Sequence, residues 1–317
     1  MQDACEAAYT RMTLAQRALR RLGGRRSRVR PVAVRRALVR IVIAWLATGC
    51  ATAVPDGQPT ADVITWRVAS YNIHHARGMD DRVDVTRIAA VIRRMSPDVV
   101  ALQEVDNGVA RSGGEDQAAR LGEILGMYHA FGSFMDYQGG RYGMAILSRC
   151  PIRSAEPVRL VDGNEPRIAL AVTIAQPDSS VLTVVNVHFD WVGDDGFRFQ
   201  QAREVAEYLD GIDGPWILAG DFNDQPGSRT LELFQARARE AAKPRGKRFT
   251  FSSTEPVREI DFVFAAPAAV WSVGTVEVVD EPMASDHRPV IAELSTVASP
   301  MTTSHSRSGA AWDCSGT

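Results

Sequence analysis

The stretch 215–226, PWILAGDFNDQP, limits what this chain can fold into more than any other. Trp216-Ile217-Leu218-Ala219 is a short apolar run without alternation, the pattern of a strand buried on both faces. Gly220 follows, then Asp221, Asn223 and Asp224, and Pro226-Gly227 closes the turn. Alone, this is an ordinary strand-to-turn junction, where Asp and Asn bond their own backbone. The arrangement recurs, however. Residues 68–71 lead to Asn72, Val99-Val100-Ala101-Leu102 leads to Gln103-Glu104, and 181–187 leads to His188. Residues 259–264 predict a strand with Asp261 inside an apolar run, where a buried carboxylate needs a partner or a metal. Asp286-His287 precedes a last strand over 290–294.

The intervening chain sets the layout. Asp84 caps a helix whose Ile88, Val91, Ile92 and Met95 recur at helical spacing, and Ser96-Pro97 stops it. If the strands on either side are parallel neighbours, Asn72 and Glu104 emerge at one edge. A helix to about residue 125 follows. Strands are expected over 128–135, 141–148, 167–174 and 181–188, with helices over 197–209 and from about 228. His74-His75 resembles a metal pair, but adjacent strand residues point to opposite faces, so the two are read as rim groups.

Charge narrows the partners. The chain has 317 residues, 45% hydrophobic and 23% charged, which suits one large domain or two small ones. Residues 1–50 hold 11 Arg and no Lys against Asp3 and Glu6, a net +9. The other 267 residues hold 25 basic and 36 acidic groups, a net −11. An acidic body argues against dedicated DNA binding, because non-specific affinity comes from neutralising phosphates with Lys and Arg.

The basic charge belongs to a segment outside the fold. Residues 1–33 read as a basic extension and 34–50 as an export segment, in which Ile41-Val42-Ile43-Ala44-Trp45-Leu46 is followed by Ala47-Thr48-Gly49-Cys50. The apolar run is too short to cross a bilayer as a helix. The ending LATGC resembles a bacterial lipoprotein signal, which implies a lipid on Cys50 and a location in the cell envelope. Residues 51–62 read as a linker, 63–297 as one catalytic domain, and 298–317, rich in Ser, Thr and Gly, as a disordered tail. Cys150 and Cys314 could pair, and no CxxC or Cys/His cluster marks a zinc site.

The strand-end strings resemble those of the endonuclease/exonuclease/phosphatase superfamily, the metal-dependent phosphoesterases related to DNase I. They are SYNIH at Asn72, ALQEVD at Glu104, VNVHFD at His188, GDFND at Asp221 and Asn223, EIDFVF at Asp261, and SDHRPV at Asp286 and His287. The resemblance covers about residues 64–296. It implies an α/β fold, a four-layer α/β sandwich with two central mixed β-sheets packed face to face and helices outside. It also implies a Mg2+-dependent hydrolase, with Mn2+ as the alternative ion. The metal residues would be Asn72, Glu104 and Asp286, and the catalytic residues His188, Asp221, Asn223, Asp261 and His287.

The chemistry suits those residue types. A phosphodiester repels an attacking anion, so hydrolysis needs charge neutralisation and an aligned water. Glu104 is a hard oxygen ligand, Asp221 can orient or deprotonate water, and Asp261 can hold the His287 ring and favour its charged form. His188 is read as a second cation beside the phosphate. Either Asp221 or the Asp261–His287 pair could be the base. The expected substrate is a phosphate diester or monoester, such as a phospholipid headgroup or other envelope ester, and the expected state is a monomer. The alternatives are an extracellular non-specific nuclease and, ranked lower, a lipid-anchored binding module with an inactive site. A calcineurin-like phosphoesterase would need an early Asp-x-His and a later Gly-Asn-His, and the chain has neither.

Overall fold

The computed structural model describes residues 63–176 and 180–297. The expected basic extension, export segment, linker and tail lie outside them. In chain order the elements are β1 (Val63–Asn72), α1 (Val85–Met95), β2 (Val99–Asn107), α2 (Gln117–Leu125), β3 (Tyr128–Tyr137) and β4 (Gly140–Ser148). Then come β5 (Ile152–Arg159), β6 (Ile168–Ala175), β7 (Val181–His188), α3 (Gly196–Asp210), β8 (Trp216–Asp221) and α4 (Arg229–Gln235). The chain closes with β9 (Arg239–Glu240), β10 (Asp261–Ala266), β11 (Trp271–Val278) and β12 (Val290–Val297).

Two six-stranded sheets result, in the orders β11-β12-β1-β2-β4-β3 and β5-β6-β7-β8-β10-β9. Each has one parallel pair at its centre, β1 with β2 and β7 with β8, and antiparallel neighbours elsewhere. Parallel pairs need a crossover, which α1 and α3 supply on the outer faces. Three apolar layers separate the four structural layers. The inner faces of both sheets share Val68, Ala101, Ile146, Leu170, Val184 and Ile217. Ile88, Ile92 and Leu121 of α1 and α2 cover one outer face, and Val205, Leu209 and Phe234 of α3 and α4 the other. Asp84 caps α1, its side chain accepting from the Arg87 amide at 3.0 Å. Ser96, in a left-handed conformation before Pro97, ends it.

Three elements differ from the sequence expectation. β10 begins at Asp261, so this residue sits at the mouth of the ladder, opposite Asp221 of β8, and not inside the strand. β5 and β11 give no sequence signal. β5 is a mostly exposed edge strand, and β11 is interrupted by a register shift between Val273 and Val276. An edge strand with water on both faces has no apolar alternation to read.

Candidate active site

The two parallel pairs deliver their carboxyl ends to one edge of the sandwich, and the side chains bridge the sheets there. Asn72 Nδ2 donates to Glu104 Oε1 at 3.0 Å and to Asp221 Oδ2, on the opposite sheet, at 3.2 Å. One layer deeper, Gln103 Nε2 donates to Asn186 Oδ1 at 2.8 Å, and Asn186 Nδ2 donates to the Leu102 carbonyl at 2.8 Å. This amide pair is fully buried and ties β2 to β7. The Ser285 hydroxyl donates to the Asn72 carbonyl at 2.7 Å, bringing the loop of Asp286 and His287 to the end of β1.

Asp221 is the centre. Its Oδ2 lies 3.6 Å from His188 Nε2 and 3.6 Å from His287 Nε2. Its Oδ1 accepts the Asn223 amide at 2.9 Å. Asn223 adopts a left-handed conformation, φ 50°, and its side chain donates to the Phe189 carbonyl at 3.0 Å. His287 Nδ1 is 3.0 Å from Asp261 Oδ2, whereas Asp261 Oδ1 has no partner among the described residues. One ligand atom each of Asp221, Asp261 and His287 forms a close group. Asp286 stands apart from that group, its Oδ1 3.8 Å from His74 Nδ1.

The electrostatics follow from burial and neighbours. Burial raises the Asp221 carboxyl to about 7, with His287 opposing the rise and Asp261 adding to it. Burial alone would strip the proton from His287, but Asp261 and Asp221 outweigh it and raise the imidazole to about 10. His188 goes the other way. Burial, then the Arg167 and His287 charges, hold it well below its ordinary value, so it is neutral at pH 7. The reading of His188 as a second cation is therefore corrected.

Sequence reasoning missed several groups. Tyr142 lies beside Glu104, and burial with the Glu104 charge pushes its hydroxyl well above its ordinary value. Arg167, 1% exposed, packs over the Phe134 ring at 5.0 Å. Its Nη1 is 3.0 Å from Glu165 Oε2 but off the hydrogen-bond direction, and its Nε has no partner among the described residues. An arginine ahead of a strand reads as surface charge, so nothing in the sequence marked it. His74 and His75 do not point to opposite faces of a strand, contrary to the sequence expectation. The chain leaves β1 at Asn72, and His74, His75 and Ala76 have φ of 46°, 44° and 62°. Opposite-face alternation does not apply in such a turn, and the two rings meet edge to face, 4.5 Å between centroids. Burial and the charge of Arg111 lower His75 to about 3.

Two face-to-face sheets with carboxylates and imidazoles gathered at one edge define the architecture of a phosphoester hydrolase. The model of the Endonuclease/Exonuclease/phosphatase family matches residues 69–287, and the chain belongs to that family. It is similar to the uncharacterized protein YbhP of Escherichia coli (strain K12), 26% identical over 245 residues, covering 73% of this chain and 96% of the relative. Among solved structures it resembles an endonuclease/exonuclease/phosphatase from Beutenbergia cavernae DSM 12333, with 26% identity, TM-score 0.58, and coverage of 74% of this chain and 72% of that one. The mannosyl-6-phosphatase Bt3783 of Bacteroides thetaiotaomicron VPI-5482 shares the fold at TM-score 0.60 and 22% identity, covering 72% of this chain and 99% of that one.

Proposed function

We propose that this protein is a divalent-metal-dependent phosphoesterase that hydrolyses a phosphate ester by attack of water, on a phospholipid headgroup or another ester of the cell envelope. The observation that carries the reading is Asp221 flanked by His287, with Asp261 behind the ring. A carboxylate whose proton leaves near pH 7 is poised as a general base, accepting a proton from water as the oxygen attacks phosphorus. His287, charged at that pH, balances negative charge building on the phosphoryl oxygens. The charge on His287 supports reading Asp221 as the base and His287, oriented by Asp261, as the cation. His188, neutral, has an N–H on one ring nitrogen to offer a bound phosphate. Asn223 fixes Asp221 through its amide.

A divalent ion would draw on the oxygen groups at these strand ends, with Glu104 as the anionic one. Glu104 has φ 58° at the irregularity of β2; the Asn72 amide nitrogen lies 3.0 Å from its Oε1, and Asp286 follows Ser285 in the loop tied to the end of β1. These three would hold the ion, which when bound neutralises charge on the phosphate and its leaving group. We read Mg2+ as the resident ion, with Mn2+ as the alternative. Export and an anchor at Cys50 are part of the proposal, because the lipoprotein-like ending LATGC would set the domain beside envelope esters.

The test is release of p-nitrophenol from bis-p-nitrophenyl phosphate with Mg2+, alongside a panel of lipid headgroup esters, phosphomonoesters and plasmid DNA. Hydrolysis abolished by EDTA, and reduced about a hundredfold or more in Asp221→Asn with the fold retained, is the expected result. Full activity in that variant would overturn the role of Asp221. Plasmid cleavage exceeding every other substrate would favour the nuclease. No hydrolysis of any substrate would favour the binding module.

A further inference from the structure

His74, His75 and Glu104 form a grouping that the hydrolytic reading uses only through Glu104. Each offers one ligand atom, and the three atoms lie within 4.8 Å of one another. An ion bonded at about 2.0–2.2 Å to nitrogen and oxygen holds its ligands roughly 3–4 Å apart, so a small closure would seat one. His75 is 6% exposed, and its Nδ1 has no hydrogen-bond partner among the described residues. The Nδ1 of His74 also lacks a hydrogen bond among the described residues, and Asp286 Oδ1 lies 3.8 Å from it. A buried imidazole nitrogen left without a partner calls for a ligand. The turn is held in place from two sides. The His74 amide donates to Asn72 Oδ1 at 3.1 Å, and Gln117 Nε2 donates to the His75 carbonyl at 2.8 Å. Gln117 Oε1 accepts the Asp106 amide at 3.0 Å, so the histidine turn is tied to β2, the strand that carries Glu104.

We propose that His74, His75 and Glu104 together ligate one divalent transition ion of the Mn2+ type in preference to Mg2+. Two imidazoles and a carboxylate suit transition ions, whereas Mg2+ prefers oxygen ligands and keeps its waters. The inference rests on the hydrolytic reading for the use of Glu104 and replaces its ion, a Mn2+-type ion taking the place of Mg2+ at that carboxylate, but it depends on neither the substrate nor the base.

The probe is Mn2+ alone, added to protein stripped with EDTA and followed by electron paramagnetic resonance with pulsed detection of nitrogen coupling. Imidazole nitrogen coupling is expected, with Mg2+ needing about tenfold excess or more to displace Mn2+. His74→Asn and His75→Asn should each remove part of that coupling and weaken Mn2+ by about tenfold or more. Asn tolerates the left-handed backbone, so both variants should keep their melting temperature. Mn2+ bound without nitrogen coupling in the unaltered protein, displacement by equimolar Mg2+, or no binding of Mn2+ would overturn the proposal. Mg2+-dependent hydrolysis without nitrogen coupling would reject this site and keep the hydrolytic reading. Nitrogen coupling without hydrolysis of any substrate would do the reverse.

Discussion

His287 keeps a proton that its burial alone would remove, and two carboxylates are the reason. That has a consequence for stability. In the unfolded chain the imidazole titrates near 6.5, and in the folded protein near 10. Between those values the folded state holds a proton that the unfolded state has released. The stabilisation is full below pH 6.5 and is lost as pH rises through 10. The metal-free protein in EDTA should therefore melt at progressively lower temperature from pH 6.5 to 10. The slope should approach one proton, about 1.4 kcal/mol per pH unit at most. His287→Asn cannot titrate, and should flatten this slope relative to the unaltered protein. A slope unchanged in that variant would mean that the proton lies elsewhere. Half of this arrangement was legible in the sequence, because an Asp within Ile260-Asp261-Phe262 demands a partner. The neutral state of His188 was not, since it depends on complete burial and on Arg167, which sits in an unrelated segment.

At the scale of elements, Asn72, His188 and Asp221 end strands, Asp261 begins one and Glu104 sits at the irregularity of β2, and each is followed by an apolar residue aimed at the opposite face. Ile73 follows Asn72 and Val105 follows Glu104, both in the layer under α1 and α2. Phe189 follows His188, Phe222 follows Asp221 and Phe262 follows Asp261, all in the layer under α3 and α4. The last three pack around Phe222, 5.4 Å from Phe189 and 5.5 Å from Phe262 between centroids. These phenylalanines anchor the backbone just beyond the site. Phe222→Leu should cost about 1–2 kcal/mol of stability by chemical denaturation. It should also lower kcat, because Phe222 lies between Asp221 and Asn223. Phe234→Leu, from α4 and 5.5 Å from the same ring, should cost similar stability while leaving kcat nearly intact. Equal kcat losses in the two variants would contradict the anchoring role. The central strands were legible because β8 and the core of β2 are apolar runs, and the parallel pairing of β1 and β2 followed from the helix between them. The His74-His75 turn was not legible, because left-handed conformations at consecutive non-glycine residues have no sequence signature. Such strain costs on the order of 1–3 kcal/mol per residue and persists only where the surroundings impose it.

For the whole molecule, the proposed envelope substrate poses the question of how an acidic domain would be kept near it. Past residue 50 the chain has a net charge of −11, which repels anionic lipid surfaces and nucleic acid alike. No helix among the described residues is long and apolar enough to cross a membrane. Cys150 is disulfide-bonded, a state favoured outside the reducing cytosol, and the other three cysteines fall outside the described residues. A lipid on Cys50 would solve the problem of retention without a basic surface. Twelve residues, 51–62, separate Cys50 from the first described strand, and a chain of that length reaches at most about 40 Å. One acyl chain gives only marginal membrane binding, so a stable anchor needs more than one. The expected outcome is that protein expressed with its export segment enters the detergent phase of a Triton X-114 separation, and that Cys50→Ser moves it to the aqueous phase with its soluble phosphoesterase activity unchanged. Retention of Cys50→Ser in the detergent phase would reject the lipid anchor. Aqueous partitioning of the unaltered protein, with a mature terminus near Ala51, would mean an ordinary secreted enzyme, and the preferred substrates would then shift from headgroups in the bilayer to soluble phosphate esters.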